Sequence, residues 1–356
     1  MARTDAVLGE RIARNGLAAP RCATVAEAAA ITTAVQAQDN QASRFGIRVR
    51  APVLAEADVL AAITEQRSVV RTWLLRGTIH LVDTADLRWL VALIGPVVIR
   101  KYRTRWRQLG LHDDVLERSL TVLPDVLAGR ALTRHEIHDA LRERGVAPEA
   151  SDPQAPTHAI LHACCTGLAC RGADRGRDAT FVLTDEWVPR GAQGPRGDDA
   201  LAELARRYFT AFAPATAGDF AVWSGLPGTK AVRLIRDELT EVDVYGRPGY
   251  RLGTVPPERS TRLLPAFDNY LLGYRDRSAI LGAPDYGRVY IGGLIRPTVL
   301  VDGQVVGVWA LNRVKRTVTM TPFEALTHTA RRGINREVAA LGRFTGLDLA
   351  VVIDGG

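Results

Sequence analysis

The sequence predicts a mixed α+β chain in which one helix, helix, hairpin arrangement is used three times. A small sheet with a helix follows at the C-terminal end. Three observations carry this. Thr24-Val-Ala-Glu27, Thr133-Arg-His-Glu136 and Thr216-Ala-Gly-Asp219 each set a threonine three residues before an acid, the spacing at which the two side chains satisfy backbone N–H groups at a helix start. Each is followed by a second helical stretch and then by two β-rich runs. The copies recur at intervals of about 100 residues, and a repeat on that scale steers the choice of fold.

The elements follow in order. The box at Thr24 opens an alanine-rich helix, expected to reach about Gln36, and a second helix fits Ala57 to Gln66. Val69 to Leu75 and Thr78 to Val82 are β-rich and flank Arg76-Gly77. A longer helix, Asp114 to Ala128, precedes the second box, whose helix runs to Arg144 before Gly145, glycine being the usual residue past a helix end. Pro156 to Thr166 is helical, and strands fit Leu168 to Arg171 and Thr180 to Leu183. The third copy has a preceding helix at Asp198 to Phe212, a short helix ending at Gly225, and a helix from Thr229 to Leu239. Its strands are Glu241 to Tyr245 and Tyr250 to Leu252.

The remainder differs. Thr298 to Val301 and Gln304 to Ala310 flank Asp302-Gly303, the strongest short signal for a two-residue type I′ hairpin. Arg316 to Met320 reads as another strand, and Thr321-Pro322 opens an arginine-rich helix from Phe323 to Leu341. The order helix, turn, helix, hairpin is that of the winged helix, which commonly places a helix or its hairpin in a DNA groove. A protein-interaction module is the plain alternative. The expected divisions are residues 1–95, 96–190, 191–260 and 261–356.

Composition narrows the class. Of 356 residues, 47% are hydrophobic and 24% charged, which excludes disordered, collagenous and membrane-embedded chains. The longest apolar run, Trp89 to Ile99, is broken by Gly95-Pro96 and falls short of the roughly 20 residues of a membrane span. Met1 to Arg11 contains no long apolar stretch, so no secretory leader is expected. Cys22, Cys164, Cys165 and Cys170 make a poor disulfide framework. A cytoplasmic monomer without a membrane partner is expected.

Charge has a local pattern. The net charge is +7, and 43 of the 46 basic residues are arginine, with lysine only at positions 101, 230 and 315. A GC-rich genome explains such a ratio, so placement matters more than number. Acids nearly balance bases up to residue 260, and residues 261–356 carry 12 bases against 8 acids. Arg100, Lys101, Arg103, Arg105 and Arg107 interleave with Tyr102 and Trp106 without an acid. Arg313, Lys315 and Arg316 follow the Asp302-Gly303 hairpin, and Arg331, Arg332 and Arg336 lie on the last helix. Basic clusters with aromatics suit phosphate contacts and base stacking. Solvated, acid-paired helix faces are the alternative. His135/His138 and His158/His162 have metal-compatible spacing beside Cys164 and Cys165, but no paired Cys-x-x-Cys accompanies them, and no metal or other cofactor is expected.

Four segments in one order carry a family resemblance. They are Gln36-Ala37-Gln38-Asp39-Asn40-Gln41, Arg44 to Arg50, the Arg76-Gly-Thr-Ile-His80 stretch, and Leu263-Leu-Pro-Ala-Phe-Asp-Asn-Tyr-Leu-Leu-Gly-Tyr-Arg-Asp-Arg277. Together they resemble the AlkZ/YcaQ-like bacterial DNA glycosylases, over nearly the whole chain. The resemblance implies three tandem winged helices in a C-shaped, DNA-gripping body. It implies excision of bulky or cross-linking N7-alkylpurines from double-stranded DNA, in some members as self-resistance to a DNA-alkylating antibiotic. The family's catalytic motif falls on Gln36, Ala37 and Gln38, and the second glutamine resembles the branch acting on cross-links and bulky adducts. Asp39, Asn40 and His80 are candidates for the same cleft, and Arg44 joins the candidate DNA contacts. A non-catalytic DNA-binding regulator or adduct-sequestering protein is the alternative.

Two amides make chemical sense on such a substrate. N7-alkylation leaves the base cationic and a good leaving group. What remains is to place a water and stabilise an oxocarbenium-like transition state, and amide oxygens can do both. Residues i and i+2 of an α-helix point about 200° apart. Gln36 and Gln38 can therefore cooperate only if the helix unwinds or ends before them, and Asp39-Asn40-Gln41 is consistent with an end. Asp39 is the second candidate base. A lesion tied to both strands cannot flip freely into a snug pocket, so an open cleft is expected. The Asp302-Gly303 hairpin with its Arg313 to Arg316 tail is the candidate minor-groove or backbone probe.

Overall fold

The computed structural model describes residues 5–19, 22–146, 152–189, 191 and 194–354. Residues 1–4, part of the stretch inspected for a leader, lie outside them. The fold is α+β, and the chain forms two compact units: residues 1–60 with 202–356, and residues 61–201. The divisions expected after residues 95, 190 and 260 follow the recurrence of elements, a criterion separate from packing.

The first unit opens with α1 (Ala6–Arg14), started by Asp5, whose carboxylate accepts from the Val7 and Leu8 N–H groups. Helix α2 (Val25–Ile31) carries the complete capping box of Thr24 and Glu27. It stops at Ile31, five residues short of the expected Gln36. The cause is local: three β-branched residues arrive together, and Thr33 adopts φ 65°, outside helical space. Val35–Gln36 is a two-residue strand, β1. Asp39-Asn40-Gln41 is therefore the start of a helix, not the end of one. Asp39 caps α3 (Asn40–Arg48), accepting from Ala42 N at 2.8 Å. Helix α4 (Glu56–Thr64) follows.

The second unit holds β2 (Val69–Trp73) and β3 (Ile79–Asp83), an antiparallel hairpin turning through Arg76 and Gly77, both at positive φ. Helix α5 (Leu87–Gln108) runs through Gly95-Pro96 without a break. Gly95 serves packing: a Cβ there would lie 2.0 Å from the Cys165 carbonyl oxygen. Then come α6 (Asp113–Leu127), β4 (Leu132–Thr133), α7 (Arg134–Glu143) with its capping box from Thr133 and Glu136, and α8 (Ala155–Cys165). Strands β5 (Ala169–Arg171) and β6 (Thr180–Leu183) lead into α9 (Thr184–Trp187). The strands of this unit lie side by side in the order β3-β2-β5-β6-β4. Trp73 stacks on Phe181 at 5.9 Å in its core.

Helix α10 (Gly197–Ala211) carries the chain back to the first unit. Thr216 and Asp219 cap α11 (Ala217–Ser224), which ends at Gly225 with φ 79°. Helix α12 (Gly228–Leu234) and the hairpin of β7 (Thr240–Asp243) with β8 (Pro248–Arg251) complete the third run. Tyr208, Phe209, Phe212, Phe220 and Trp223 form one buried aromatic cluster there.

After β9 (Thr261–Leu264), α13 (Asn269–Leu272) and α14 (Tyr286–Val289) come β10 (Tyr290–Ile291) and β11 (Leu294–Ile295), a small hairpin. Strands β12 (Thr298–Val301), β13 (Gln304–Asn312) and β14 (Thr317–Pro322) precede α15 (His328–Thr345) and β15 (Ala350–Ile353). The sheet order is β15-β14-β13-β12-β9, antiparallel except for β15 on β14. Asp302 and Gly303 have φ 51° and 88°, both positive as a type I′ turn requires. No helix among the described residues is long and apolar enough to cross a membrane.

Candidate active site

Gln36 and Gln38 meet directly. In extended backbone, side chains two residues apart share a face; the chain leaves helix before Gln36, which ends β1, and bends at Gln38, so the two are not splayed as they would be on a helix. Gln36 Nε2 donates to Gln38 Oε1 at 2.7 Å. The two differ in exposure: Gln36 is buried at 4%, Ala37 between them is fully buried, and Gln38 is exposed. Gln36 Oε1 is buried and has no hydrogen-bond partner. An orphaned buried amide oxygen costs about 1–3 kcal/mol, and this one belongs to the partner of an exposed amide.

The strand is held by a residue 233 positions away. Asn269 Oδ1 accepts from Gln36 N at 3.1 Å. Asn269 Nδ2 donates to the Ala34 carbonyl. Asn269 is the first residue of α13, and Asp268 caps that helix through Tyr270 N at 2.9 Å. Asp268 in turn receives a two-pronged pair from Arg50, with both contacts at 2.9–3.0 Å. Arg50 and Asp268 are both buried, and Arg50 also donates to Asn15 Oδ1 at 2.6 Å and Gly46 O at 3.0 Å. A buried ion pair needs this full set of partners to offset its desolvation. Sequence reading missed Asn269, Asp268 and Arg50 as supports of the glutamines. The available signal was a capping aspartate opening a one-turn helix inside the Leu263 to Arg277 segment.

The other cleft candidates differ among themselves. Asp39 is committed to capping α3, so its carboxylate is partly occupied. Asn40 begins that helix, its carbonyl accepting from Ser43 Oγ at 2.9 Å. His80 lies in β3 of the second unit, buried at 2%, its Nδ1 2.9 Å from Thr78 O. Burial pushes its pKa down to about 3, so the ring is neutral.

The candidate DNA contacts divide into anchored and exposed groups. Arg44 Nε donates to Glu56 Oε1 at 2.9 Å. Arg313 grips both oxygens of the same carboxylate at 2.8 and 2.9 Å. One acid thus ties α3, α4 and the end of β13. Beyond Arg313 the turn stands free: Val314 is 94% exposed, and Lys315 and Arg316 are exposed. The Asp302-Gly303 turn, expected as the probe together with the Arg313 to Arg316 tail, is covered on its Gly303 side, while Asp302 is half-exposed. Gly303 O accepts from Tyr270 Oη at 3.0 Å, and a Cβ on Gly303 would lie 2.7 Å from Leu8. Arg331, Arg332 and Arg336 are exposed on α15.

The Arg100 to Arg107 cluster is acid-free only in sequence. It forms the second half of α5, and the acid arrives from the start of α6. Arg103 pairs with Asp113, and Arg107 lies 3.6 Å from the same carboxylate. Arg105 donates to Gln154 Oε1 at 3.1 Å, and Lys101 to Arg76 O at 2.9 Å. Arg100 is exposed. Such exposed pairs are worth about 0–1 kcal/mol and yield readily to another anion. The histidines beside the cysteines are packing groups: Trp106 Nε1 bonds His158 Nδ1 at 3.1 Å, and Trp106 meets the His162 ring edge-on at 5.1 Å. Cys164, Cys165 and Cys170 are free and buried, and burial raises their pKa values, which keeps them as inert thiols. No group of three or more His, Cys, Asp or Glu among the described residues is placed to hold a metal ion.

The fold is that of a DNA glycosylase. The solved structure of the Streptomyces sahachiroi DNA glycosylase AlkZ matches with a TM-score of 0.82 over 98% of each chain, at 24% identity. The chain belongs to the AlkZ-like DNA glycosylase family, which matches it over residues 30–344. It is also 28% identical, over 298 residues, to a curated Streptomyces sahachiroi protein named interstrand DNA cross-link repair glycosylase, covering 79% of this chain and 80% of that one. The chain is thus an enzyme acting on DNA.

Proposed function

We propose that the chain hydrolyses the N-glycosidic bond of bulky or cross-linking N7-alkylguanine in double-stranded DNA, as a cytoplasmic monomer protecting its cell from a DNA-alkylating antibiotic. The observation that carries this is the Gln36–Gln38 contact at 2.7 Å, which leaves one amide locked and the other open to solvent. The cross-link relative supports the substrate class. In this reading the three helix and hairpin runs are winged helices that grip the duplex.

The chemistry follows from the substrate's charge. The C1′–N9 bond breaks with its electron pair going to the cationic base, which leaves neutral. The sugar becomes oxocarbenium-like. Gln38 Oε1 accepts a hydrogen bond from the attacking water and directs its dipole at the developing positive charge. An amide cannot hold the water's proton at neutral pH, so that proton passes to solvent after the C–O bond has formed. Gln36 fixes the Gln38 rotamer through its Nε2 and keeps the amide oxygen pre-aimed. Most glycosidases need a carboxylic acid to protonate the leaving group; a leaving base already positive makes that acid unnecessary. The exposed Lys315 and Arg316 at the β13–β14 tip, and the α5 arginines, are the proposed backbone contacts.

The test is a panel of duplexes bearing small, bulky and cross-linked N7-alkylguanine, scored for abasic sites. Release from bulky or cross-linked duplexes supports the reading. Release from neither, by a folded protein that still binds DNA, overturns it.

A further inference from the structure

After α13 the chain passes through Gly273 and Tyr274 into Arg275-Asp276-Arg277-Ser278. These residues, with Arg247 and Tyr286, line a cavity of about 920 Å3 within the first unit. Its charges do not cancel. Asp276 Oδ2 accepts from Arg247 Nη2 at 2.7 Å, and Oδ1 accepts from Ser278 N at 3.0 Å. Those contacts hold its pKa below the usual carboxylate range, so it is ionised and already matched by Arg247. Arg277 donates Nε to Leu271 O at 2.6 Å and sits 5.6 Å from the Tyr290 ring centre. No carboxylate among the described residues pairs with Arg277 or with the exposed Arg275. The Arg275 backbone is pinned by Asp219 at 2.8 Å, so the guanidinium projects from a fixed base. Tyr286 offers a 46% exposed ring at the rim, backed by Tyr290 at 4.5 Å.

Two unmatched guanidinium groups in a concavity, one of them fixed at its backbone, call for a planar or tetrahedral oxyanion that can take paired N–H donors. We propose that this cavity binds a phosphodiester of the DNA strand flanking the lesion through Arg275 and Arg277, with Tyr286 beside the adjoining sugar or base. Position supports a polymer phosphate over a free one. Arg277 is bonded to Leu271 of α13, the helix whose first residue holds Gln36. Eight residues of chain cannot span more than about 29 Å. At about 3.4 Å per nucleotide, that distance is no more than roughly eight nucleotides of strand, so a duplex with its lesion at the glutamines is long enough to bring a phosphate to the cavity. The inference rests on DNA as the substrate, and not on which lesion is removed.

The test uses the full chain and an undamaged duplex, with affinity measured over a range of salt concentrations. Each phosphate contact contributes about 0.9 to the slope of log affinity against log salt. Arg275→Gln should lower the slope by about one contact, the Arg275→Gln/Arg277→Gln double variant by about two, and Arg275→Lys should retain the wild-type slope. Because Arg277 also braces α13, Arg275→Gln alone decides the matter should the double variant melt early. An unchanged slope in folded Arg275→Gln overturns the proposal. So does a loss of inorganic phosphate binding with the duplex slope intact, which assigns the cavity to a small anion. A lowered slope in a protein that releases no alkylated base leaves this inference standing while the proposed lesion chemistry falls.

Discussion

Asn269 bonds Gln36 at the backbone, its Oδ1 taking the N–H at 3.1 Å while its Nδ2 reaches Ala34 O. One side chain thus fixes, through backbone atoms, the strand that ends at Gln36, two residues before Gln38.

Asn269→Ala should therefore separate stability from turnover. It strands a buried N–H and a buried carbonyl, each worth about 1–3 kcal/mol. The expected result is a lower Tm together with a single-turnover rate reduced at temperatures where the variant is fully folded. A full rate in that folded range would show that Asn269 supports only the fold.

The two glutamines should contribute unequally. Gln38→Ala removes the group proposed to contact water and should cost on the order of 10²–10³-fold in rate, as loss of a preorganised oxyanion or water partner does. Gln36→Ala removes one neutral hydrogen bond to Gln38 and should cost roughly 2- to 10-fold. Single-turnover release of an N7-alkylguanine measures both. Equal losses would mean that Gln36 also touches the reacting atoms.

The Arg50–Asp268 pair is a stability element. Removing one partner leaves a buried charge, at about 3–5 kcal/mol. Asp268→Ala should lower the denaturant midpoint steeply, and Arg50→Met/Asp268→Leu should recover part of the loss. Urea unfolding followed by circular dichroism is the measurement. A single-variant midpoint within error of wild type would remove the pair from this role.

At the β13–β14 tip, Arg313 and its neighbours should part company. Arg313→Ala leaves Glu56 held by Arg44 alone and should lower Tm, whereas Lys315→Ala/Arg316→Ala should leave Tm unchanged and weaken duplex binding. Melting curves and fluorescence anisotropy give the two readouts. The reverse pattern would exchange the assignments.

Acid should destabilise the second unit through His80. Its folded pKa is near 3, below the 6.5 of a free histidine. The unfolded chain therefore takes up a proton first as pH falls below 6.5, and stability is lost between there and pH 3. Well below 6.5 the loss approaches about 1.4 kcal/mol per pH unit. His138, His158 and His162 are shifted the same way by burial. His80→Gln should therefore flatten the Tm profile between pH 7 and 5 without abolishing its slope. An identical slope would sink the assignment.

What could be read in the sequence was local chemistry. Thr24, Thr133 and Thr216 announce helix starts because a cap needs only four residues. Asp302-Gly303 announces a turn because few residues tolerate positive φ. Nothing local records that Leu8 and Tyr270 lie against Gly303 of that turn. Two-residue β1 has no period to detect, so the helix was carried through Gln36. The acid for Arg103 and Arg107 lies beyond the end of their helix, and the support for Gln36 comes from a segment made much later. Those relationships are tertiary, and spacing does not encode them.

Gln36 and Asn269 stand 233 residues apart. During synthesis at about 5–20 residues per second, the glutamine strand is complete roughly 12–47 s before the residue that sets it. A nascent chain thus carries both glutamines before Asn269 exists to hold Gln36 N and Ala34 O. A truncated product ending before α13 lacks those two contacts for good, so premature release yields a protein whose glutamine strand has lost its brace.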